Sequence, residues 1–381
     1  MDFSWTEEQE MIRNMARQFA GEIRDEAAEA EEKGEFSRPI TKRLAENGFL
    51  GMCVPEEYGG QGLDFTSYLI ATEEISRASA GQGMTLGLHN SLLNYPLLVF
   101  GTEEQKRKYL RGSATGELLG CYALSEPDAG SDATHIKTTA VKKKDRYVIN
   151  GTKIFITNGS VADFVILFSK VDRGGGVIRG MSAFLVDTTA PGFSVGTVEN
   201  KMGLKSSPTC ELIFRDVEVP ESALLGAPGK GLRIAVETLH GGRVAVAASA
   251  VGMAEEAFEA ARAYAHAREQ FGQRIADFQG IQWLFADMRT EIDAARLLTY
   301  EAGWRKEKDL PYARQASQAK LFATETATRT ASRAIQIHGG YGYMREYRIE
   351  QIYRDAKAAE IFEGTSEIQR STIGRDVVRG E

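Results

Sequence analysis

The chain has 381 residues and a formal net charge of −7, so it exceeds a single compact core and is expected to form two or three domains. Its acidic balance argues against non-specific binding to nucleic acid or to an anionic membrane. The three cysteines are far apart and form no CxxC pair, which fits a reducing compartment and argues against a disulfide framework. We expect a cytoplasmic protein, because the acidic N-terminus lacks a secretory apolar core and no apolar run reaches the roughly 20 residues that span a bilayer.

Residues 1–118 are predicted to form an all-helical N-terminal domain. Thr6 followed by Gln9 makes a capping box, and apolar residues repeat at helical spacing behind it. Ser37, which shortly precedes a proline, begins a second helix, and Thr102 with Gln105 begins another. These start signals predict a region built from helices.

Residues 119–229 are predicted to form a β-domain, because turns punctuate runs of β-forming residues. Asn150-Gly151 is the strongest short hairpin signal and lies between two of these runs, and Asn158-Gly159 marks another turn. Short strands between regular turns indicate an antiparallel sandwich or barrel rather than a parallel sheet. The predicted strands span 147–149, 152–157, 164–168, 182–186, 193–198 and 211–214.

Residues 230–381 are predicted to form a helical bundle. Three alanine-rich runs have the length and the scarcity of breakers that long bundle helices require, and they cover roughly 232–267, 278–307 and 314–337. A later helical run breaks at Gly364 and restarts, with Ser366 as its N-cap and Gln369 as the capping-box partner. The whole chain is therefore expected to be an α+β multidomain protein.

Glu363 is the candidate catalytic base. It lies at the mouth of this helix break and follows an apolar Ile361-Phe362 step. A carboxylate on an apolar wall loses hydration, and its pKa rises toward the range that is useful for proton abstraction. The alternative for this segment alone is a glutamate in a solvated loop between two helices.

The sequence offers no metal site and no dinucleotide fingerprint. Glu237 and His240 form one ExxH element, but a di-iron bundle needs two such elements and two further inward carboxylates. Gly340-x-Gly342 lacks the third glycine of a Rossmann fingerprint and follows a helix rather than a strand. Neither a Walker loop nor a GxSxG elbow occurs.

Two stretches of the β-domain have the composition of ligand-binding segments. The loop from Tyr122 to Asp132 holds turn-forming residues that let backbone N–H groups approach a ligand, together with the hydroxyls of Ser125 and Ser131. Phe155 lies two residues before Thr157 and therefore on the same strand face, where the pair would suit a planar ring. The alternatives are an ordinary polar loop and a core phenylalanine beside a surface threonine.

Two stretches of the bundle are also candidates. Arg268 stands at a predicted helix end before Gly272, where a guanidinium is well placed for a phosphate. The glycines after Gln336 end a helix and permit close backbone approach. The alternatives are a solvated basic turn and a plain helix C-cap.

Taken together, these stretches resemble the acyl-CoA dehydrogenase family across essentially the whole chain. The resemblance rests on five motifs in the family's order, which are Tyr122–Asp132, Phe155–Gly159, Arg268–Gly272, Gln336–Gly342 and Glu363–Gln369. It implies a helical N-terminal domain, a middle β-domain and a C-terminal four-helix bundle. It also implies a homotetramer with one FAD per subunit.

The resemblance assigns roles to individual residues. Glu363 matches the family's catalytic base; one branch carries its base instead near the position that is Gly242 here. The residues implied for the flavin or the substrate beside it are Tyr122, Leu124, Ser125, Gly130, Ser131, Phe155, Thr157, Thr365 and Glu367. Those implied for the FAD of a neighbouring subunit are Arg268, Gln270, Phe271, Gln279, Gln336 and Gly340. Those implied for the substrate are Ser131, His240, Arg243 and Gly364.

The implied reaction removes the α-proton of an acyl-CoA with Glu363 and passes a hydride from the β-carbon to the flavin N5, giving the trans-2-enoyl-CoA. Electrons then leave to an electron-transferring flavoprotein. His240 is a departure, since the family commonly has Asp there, and this puts the CoA contact in question. At the position of the carboxylate-binding Arg of glutaryl-CoA dehydrogenases the chain has Gly83, which argues against a dicarboxylic substrate.

Other readings remain open at this point. Short, medium, branched and cyclic acyl groups are all compatible with the sequence. An oxidase or a flavin monooxygenase on the same fold, in which oxygen takes the electrons, is the second enzyme reading. A non-catalytic flavin-binding protein is the third, although an intact Glu363 motif argues against it.

Overall fold

The computed structural model of the protein describes residues 4–172 and 178–380. Its first part is helical, and the predicted N-caps Thr6, Ser37 and Thr102 all accept a backbone hydrogen bond at the starts of their helices. The helices are α1 Glu7–Lys33, α2 Arg38–Glu46, α3 Phe65–Ala78, α4 Ala80–Gly87, α5 Tyr95–Phe100, α6 Glu103–Gln105 and α7 Arg111–Thr115, with π-helical segments at Leu88–Asn94 and Lys106–Leu110. In the described residues, no helix has both the length and the apolar character needed to cross a bilayer.

In the residues that the structure describes, the middle part forms one eight-stranded sheet. Its strands are β1 Gly120–Ala123, β2 Thr139–Lys143, β3 Arg146–Thr157, β4 Phe164–Asp172, β5 Ile178–Asp187, β6 Phe193–Val198, β7 Thr209–Pro220 and β8 Leu224–Leu225. They follow the order β6-β7-β3-β2-β4-β5-β8, and β1 also pairs with β4. Most pairs are antiparallel as predicted, but β1 and β2 run parallel to β4 and pair with successive parts of it.

The predicted Asn150-Gly151 hairpin is wrong. These residues lie inside β3, which continues through a bulge that Gly151 allows with φ +155°. The strand continues because β7 pairs with it on both sides of the bulge, and the Asn150 side chain bonds with Asp216 of that strand. The turn that enters β3 has Lys144 in the left-handed region instead. Tertiary pairing has overridden a local turn signal here.

The last part contains the predicted long helices, α8 Gly231–Ala267, α9 Gln279–Glu307 and α10 Ala313–His338. A small hairpin, β9 Glu269–Gln270 and β10 Gln273–Arg274, separates α8 from α9, and the chain ends in α11 Ile349–Ala359 and α12 Ser366–Arg379. Small buried residues recur every third or fourth position of α10, which lets neighbouring helices pack closely along one face. They are Ala316, Ala319, Ala323, Ala327, Ala331 and Ala334.

The three parts meet in shared cores. Phe164, Ile166 and Phe168 of β4 pack with the helical N-terminal part, whereas the alternate residues Val165 and Leu167 pack with the other strands. Helix α3 packs on α8 within the largest core. Asp355 of α11 accepts from the Leu204 N–H of the β6–β7 loop at 2.6 Å, so the helix that precedes the break lies where the sheet meets the bundle.

Candidate active site

The helix break forms where the sequence predicts it, but its cap differs. Thr365, not Ser366, is the N-cap of α12, and its hydroxyl accepts from the Ile368 N–H at 3.4 Å. Gly364 at φ +98° turns the chain one residue earlier than expected, which leaves Thr365 in the extended conformation of an N-cap. Gln369 donates instead to the carbonyl oxygens of Glu363 at 3.3 Å and of Gly364 at 2.8 Å.

Glu363 occupies a strained position with a desolvated carboxylate. Its φ of +53° lies in the left-handed region, which non-glycine residues adopt rarely and often at functional sites. Its Oε2 is buried and has no hydrogen-bond partner among the described residues. Burial raises the pKa of Glu363 to about 7, against the opposing effect of the positive charges of Lys320 and Arg243. The group can therefore both accept and release a proton near neutral pH.

Gly242 of α8 provides the space for this carboxylate. A side chain at position 242 would place its Cβ 2.2 Å from Glu363 Oε2 and 2.9 Å from Leu92 Cδ2. Position 242, which carries the base in one branch of the acyl-CoA dehydrogenase family, thus faces the same space as the Glu363 carboxylate. Only one of the two positions can fill that volume with a carboxylate.

Arg243 and His240 lie on the same face of α8. The Arg243 guanidinium is 3.5 Å from His240 Nδ1 and 3.4 Å from Ser317 Oγ. Burial, with a smaller contribution from Arg243, lowers the pKa of His240 to about 4, so the imidazole is neutral at pH 7. An uncharged ring therefore stands where the family commonly has a carboxylate, and it does not neutralise Arg243.

Tyr122 of β1 is buried, and its hydroxyl has no partner among the described residues. Its ring packs against Phe168 at 4.9 Å between centroids. Burial raises the pKa of Tyr122, and the charge of Glu363 acts in the same direction. The phenol is thus a neutral donor within electrostatic range of the Glu363 carboxylate.

The loop after β1 is fixed on one side by hydrogen bonds from β3. Lys153 Nζ donates to the Leu124 carbonyl at 2.9 Å and to Glu126 Oε1 at 2.8 Å, and the Ser125 carbonyl accepts from the Ile154 N–H at 3.0 Å. In front, the loop is open. Apart from Gly130 and its two chain neighbours, no atom of the described residues lies within 4 Å of where a Cβ of residue 130 would stand, and Ser131 is exposed.

Phe155 points away from the core. It is 63% exposed with φ +56°, at a bulge of β3, while the next residue Ile156 is 2% exposed and Thr157 is half-buried. The exposure of Phe155 excludes the alternative of a core phenylalanine. That Phe155 and Thr157 share one face stays a prediction, because the bulge interrupts the alternation of β3 between Lys153 and Ile156. An exposed ring beside the open loop is a surface on which a flat ligand can stack.

The bundle residues form a separate group. Arg268 is the C-cap of α8, and with Gln270 and Gly340 it lines a cleft of about 530 Å³ whose walls include Tyr341. Its guanidinium lies 5.9 Å from the centre of the Tyr341 ring. The other predicted members of this group are exposed, namely Phe271, Gln279 and Gln336, while Thr365 is half-buried and Glu367 exposed.

The comparison with protein families covers all three parts. Residues 6–117 match the model described as "Acyl-CoA dehydrogenase, N-terminal domain", residues 121–217 match its middle domain, and residues 229–378 match its C-terminal domain. The chain belongs to the acyl-CoA dehydrogenase family. It is therefore an oxidoreductase of the acyl-CoA dehydrogenase kind, and the predicted fold class is confirmed.

Similar proteins cover the full chain. The short-chain specific acyl-CoA dehydrogenase of Clostridium acetobutylicum is 46% identical with 100% of both chains covered, and an acyl-CoA dehydrogenase of Bacillus subtilis is 48% identical with 98% and 99% covered. Butyryl-CoA dehydrogenase from Megasphaera elsdenii superposes with a TM-score of 0.96 at 41% identity, covering 100% of both chains. A similar structure of a glutaryl-CoA dehydrogenase from Mycobacterium smegmatis contains FADH2 (TM-score 0.93, 29% identity, 99% and 96% covered), and the prediction of FAD is confirmed at the level of the family.

The residues present fit a flavin of this family. The exposed Phe155 face and the open Gly130 loop offer a flat surface with accessible backbone. The unpartnered Tyr122 hydroxyl and Glu363 Oε2 are buried polar atoms that a bound ligand can satisfy. Sequence reasoning missed Lys320, which lies under the Glu363 loop. Its signal was a lysine spaced among the buried alanines of α10.

Proposed function

We propose that the protein catalyses the α,β-dehydrogenation of an acyl-CoA to the trans-2-enoyl-CoA with Glu363 as the base. The observation that carries this proposal is the position of the half-buried Glu363, whose Oε2 is buried and unpartnered among the described residues and occupies the space left by Gly242. Burial raises the pKa of Glu363 to about 7. A general base is most effective when its pKa lies near the working pH. The two relatives named for short-chain and butyryl substrates favour a short acyl group.

In the proposed reaction Glu363 accepts the α-proton while its backbone holds the thioester. The N–H of Glu363 has no acceptor among the described residues, so it is free to donate to the thioester carbonyl and stabilise the developing enolate oxygen. Gly364, beside it, lets the acyl group approach the main chain. Arg243 adds a positive charge near the same point.

Bound FAD would supply the hydride acceptor for the β-carbon. We assign its ring to the face of Phe155 and Thr157, with Tyr122, Leu124, Ser125, Gly130 and Ser131 lining the loop beside it. We assign the pyrophosphate and adenosine of a neighbouring subunit's FAD to the group of Arg268, Gln270, Phe271, Gln279, Gln336 and Gly340, and the edge near the base to Thr365 and Glu367. Substrate contacts are assigned to Ser131, His240, Arg243 and Gly364.

A homotetramer would complete these sites. Phe271 is 95% exposed, and α9 exposes Trp283, Leu297 and Trp304 on one stripe at seven- and fourteen-residue spacing. Such exposed aromatic and aliphatic side chains favour an interface with further copies of the chain. We also propose an electron-transferring flavoprotein as the acceptor, since one similar structure is described as the electron-transferring flavoprotein of Acidaminococcus fermentans (TM-score 0.97, 47% identity, 100% of both chains covered). The proposed location is the cytoplasm.

Reduction of an enoyl-CoA is the second candidate. Relatives 44% identical are named acryloyl-CoA reductase (NADH), from Anaerotignum propionicum, and caffeyl-CoA reductase-Etf complex subunit CarC, from Acetobacterium woodii. A base with a pKa near 7 can also donate a proton at the α-carbon, so the same residues serve either direction. The mid-point potential of the flavin against the acyl-CoA couple decides between them.

The test is anaerobic titration of the FAD-loaded protein with saturated acyl-CoAs of increasing chain length. We expect the visible flavin band to bleach with a short acyl-CoA, and Glu363→Gln to abolish bleaching while FAD stays bound. Glu346→Gln, at an exposed glutamate in the loop before α11, is the control and should bleach normally. Normal bleaching by Glu363→Gln would refute the base assignment. Fast peroxide formation in air would favour the oxidase reading.

A further inference from the structure

Lys320 is a buried charge that the proposed reaction does not use. It lies on α10 among buried alanines, and it is 0% exposed. Its Nζ donates to the Gly364 carbonyl at 2.8 Å, and no carboxylate of the described residues lies within ion-pair distance of it. Buried lysines are usually paired with a carboxylate, so a lysine bound to a backbone carbonyl needs an explanation.

The carbonyl that Lys320 holds belongs to the strained turn. Gln369 donates to the same Gly364 oxygen at 2.8 Å, so this oxygen accepts from two side chains. Glu363 and Gly364 both have positive φ, and such backbone persists only where its surroundings fix it. Lys320 and Gln369 together hold the carbonyl of the residue that follows Glu363.

The charges around Lys320 come from the helix break, α8 and α12. Among these charges Glu363 of the break has the largest effect on Lys320, followed by Arg243 of α8, then Glu360 of the break and Glu367 in the first turn of α12. Conversely, Lys320 affects Glu363 more strongly than Arg243 does. Burial lowers the pKa of Lys320 to about 8, so the amine is charged at neutral pH.

We propose that Lys320 is the positioning residue of the base, an inference that rests on the proposed function of Glu363. Its ammonium fixes the Gly364 carbonyl and supplies the main counter-charge that keeps the neighbouring carboxylate ionised in a desolvated site. Gln369 shares the first task but, being neutral, not the second. Lys320 and Gln369 donate to the same Gly364 oxygen, so substitutions of these two residues can separate the effect of the hydrogen bond from the effect of the charge.

The experiment measures anaerobic release of deuterium from an α-deuterated acyl-CoA across the neutral pH range. In the unmodified protein, release rises near pH 7 as Glu363 ionises and falls near pH 8 as Lys320 loses its proton. In Lys320→Met the rise moves upward by about 1 pH unit or more and the alkaline fall disappears. Lys320→Arg stays charged, so the rise stays in place and only the fall disappears. Gln369→Leu slows release and leaves both midpoints unchanged.

The inference is overturned if Lys320→Met keeps both midpoints, or if Gln369→Leu moves the rise as far as Lys320→Met does. Flavin content and melting temperature report whether each variant is folded. Should Lys320→Met not fold, loss of the alkaline fall in Lys320→Arg supports the inference, and its retention overturns it. Release at the normal rate by Glu363→Gln would instead remove the proposed function, so the two failures are distinguishable.

Discussion

Lys153 and Lys320 are two equally buried lysines on different sides of the site. Lys153 lies behind the loop that follows β1, and Lys320 lies below the break between α11 and α12. Both are 0% exposed, and burial lowers the pKa of each to about 8. Lys153, behind the sheet loop, is neutralised by Glu126 at 2.8 Å. Lys320, below the helix break, has a backbone carbonyl as its hydrogen-bond partner among the described residues, and the nearby anionic group with the strongest effect on it is Glu363.

This difference in ion pairing distinguishes a structural lysine, Lys153, from a lysine that affects the protonation of the base, Lys320. Glu126 also accepts from the backbone N–H groups of Lys137 and Thr138, so its buried charge is fully satisfied and the loop is fixed. The positive charge of Lys320 is not neutralised by an ion pair, and it lowers the pKa of Glu363 against the effect of burial. Perturbed ionisable groups with specific charge partners in a cleft mark functional sites, whereas a closed ion pair is structural.

Removing Lys153 should have the largest effect on stability. Lys153→Met leaves Glu126 buried without its ion-pair partner, and breaking such a pair destabilises by about 3–5 kcal/mol. Lys320→Met is the matched control, because no carboxylate of the described residues lies within ion-pair distance of Lys320. Denaturant unfolding of both variants checks this, and an equal loss of stability in the two would contradict the comparison.

Removing the Glu363 charge should stabilise the protein above pH 4.5 and not below it. Because the folded-state pKa of Glu363 is raised to about 7 from 4.5, the folded protein binds more protons than the unfolded chain between these values, so stability falls as pH rises through that window. Glu363→Gln abolishes this loss, a gain of about 3 kcal/mol at most above pH 7. The gain should vanish below pH 4.5, the ordinary pKa of the group. A pH-independent difference in unfolding free energy would count against the raised pKa.

Filling the space beside the base should reduce the rate more than the stability. The Cβ in Gly242→Ala would stand 2.2 Å from Glu363 Oε2, and the flexible carboxylate can move away. Since a displacement of about 1 Å can lower a rate roughly hundredfold, we expect a loss of that size in flavin reduction with little change in melting temperature. Gly241→Ala is the control, because its Cβ would meet only Lys306 Nζ at 3.1 Å. Equal rates of flavin reduction in Gly242→Ala and Gly241→Ala would contradict the assignment of Glu363 as the base.

The sequence predicted those features whose causes are local. The capping boxes at Thr6 and Thr102 and the long alanine-rich helices need only short-range chemistry, and all are present. Asn150-Gly151 failed because pairing of β3 with β7, which is distant in sequence, decided the outcome. Ser366 failed because two adjacent hydroxyl residues can cap a helix, and the φ of Gly364 selects Thr365.

The site was predictable in its members but not in its electrostatics. The resemblance named Glu363 and Phe155, yet it could not show that Glu363 Oε2 has no partner or that Phe155 is 63% exposed. Lys320 was missed, because a lysine in an alanine-rich helix is normally solvated and its spacing among the alanines is a weak signal. Only packing reveals that it lies on the buried face of α10.

The pH dependence of α-proton exchange tests the central claim most directly. We predict that deuterium release from an α-deuterated acyl-CoA has its acid midpoint near pH 7, and that Glu363→Gln shows no release at any pH while still holding FAD. Release by Glu363→Gln at the normal rate, or an acid midpoint near 4.5, the ordinary value for a glutamate, would contradict it.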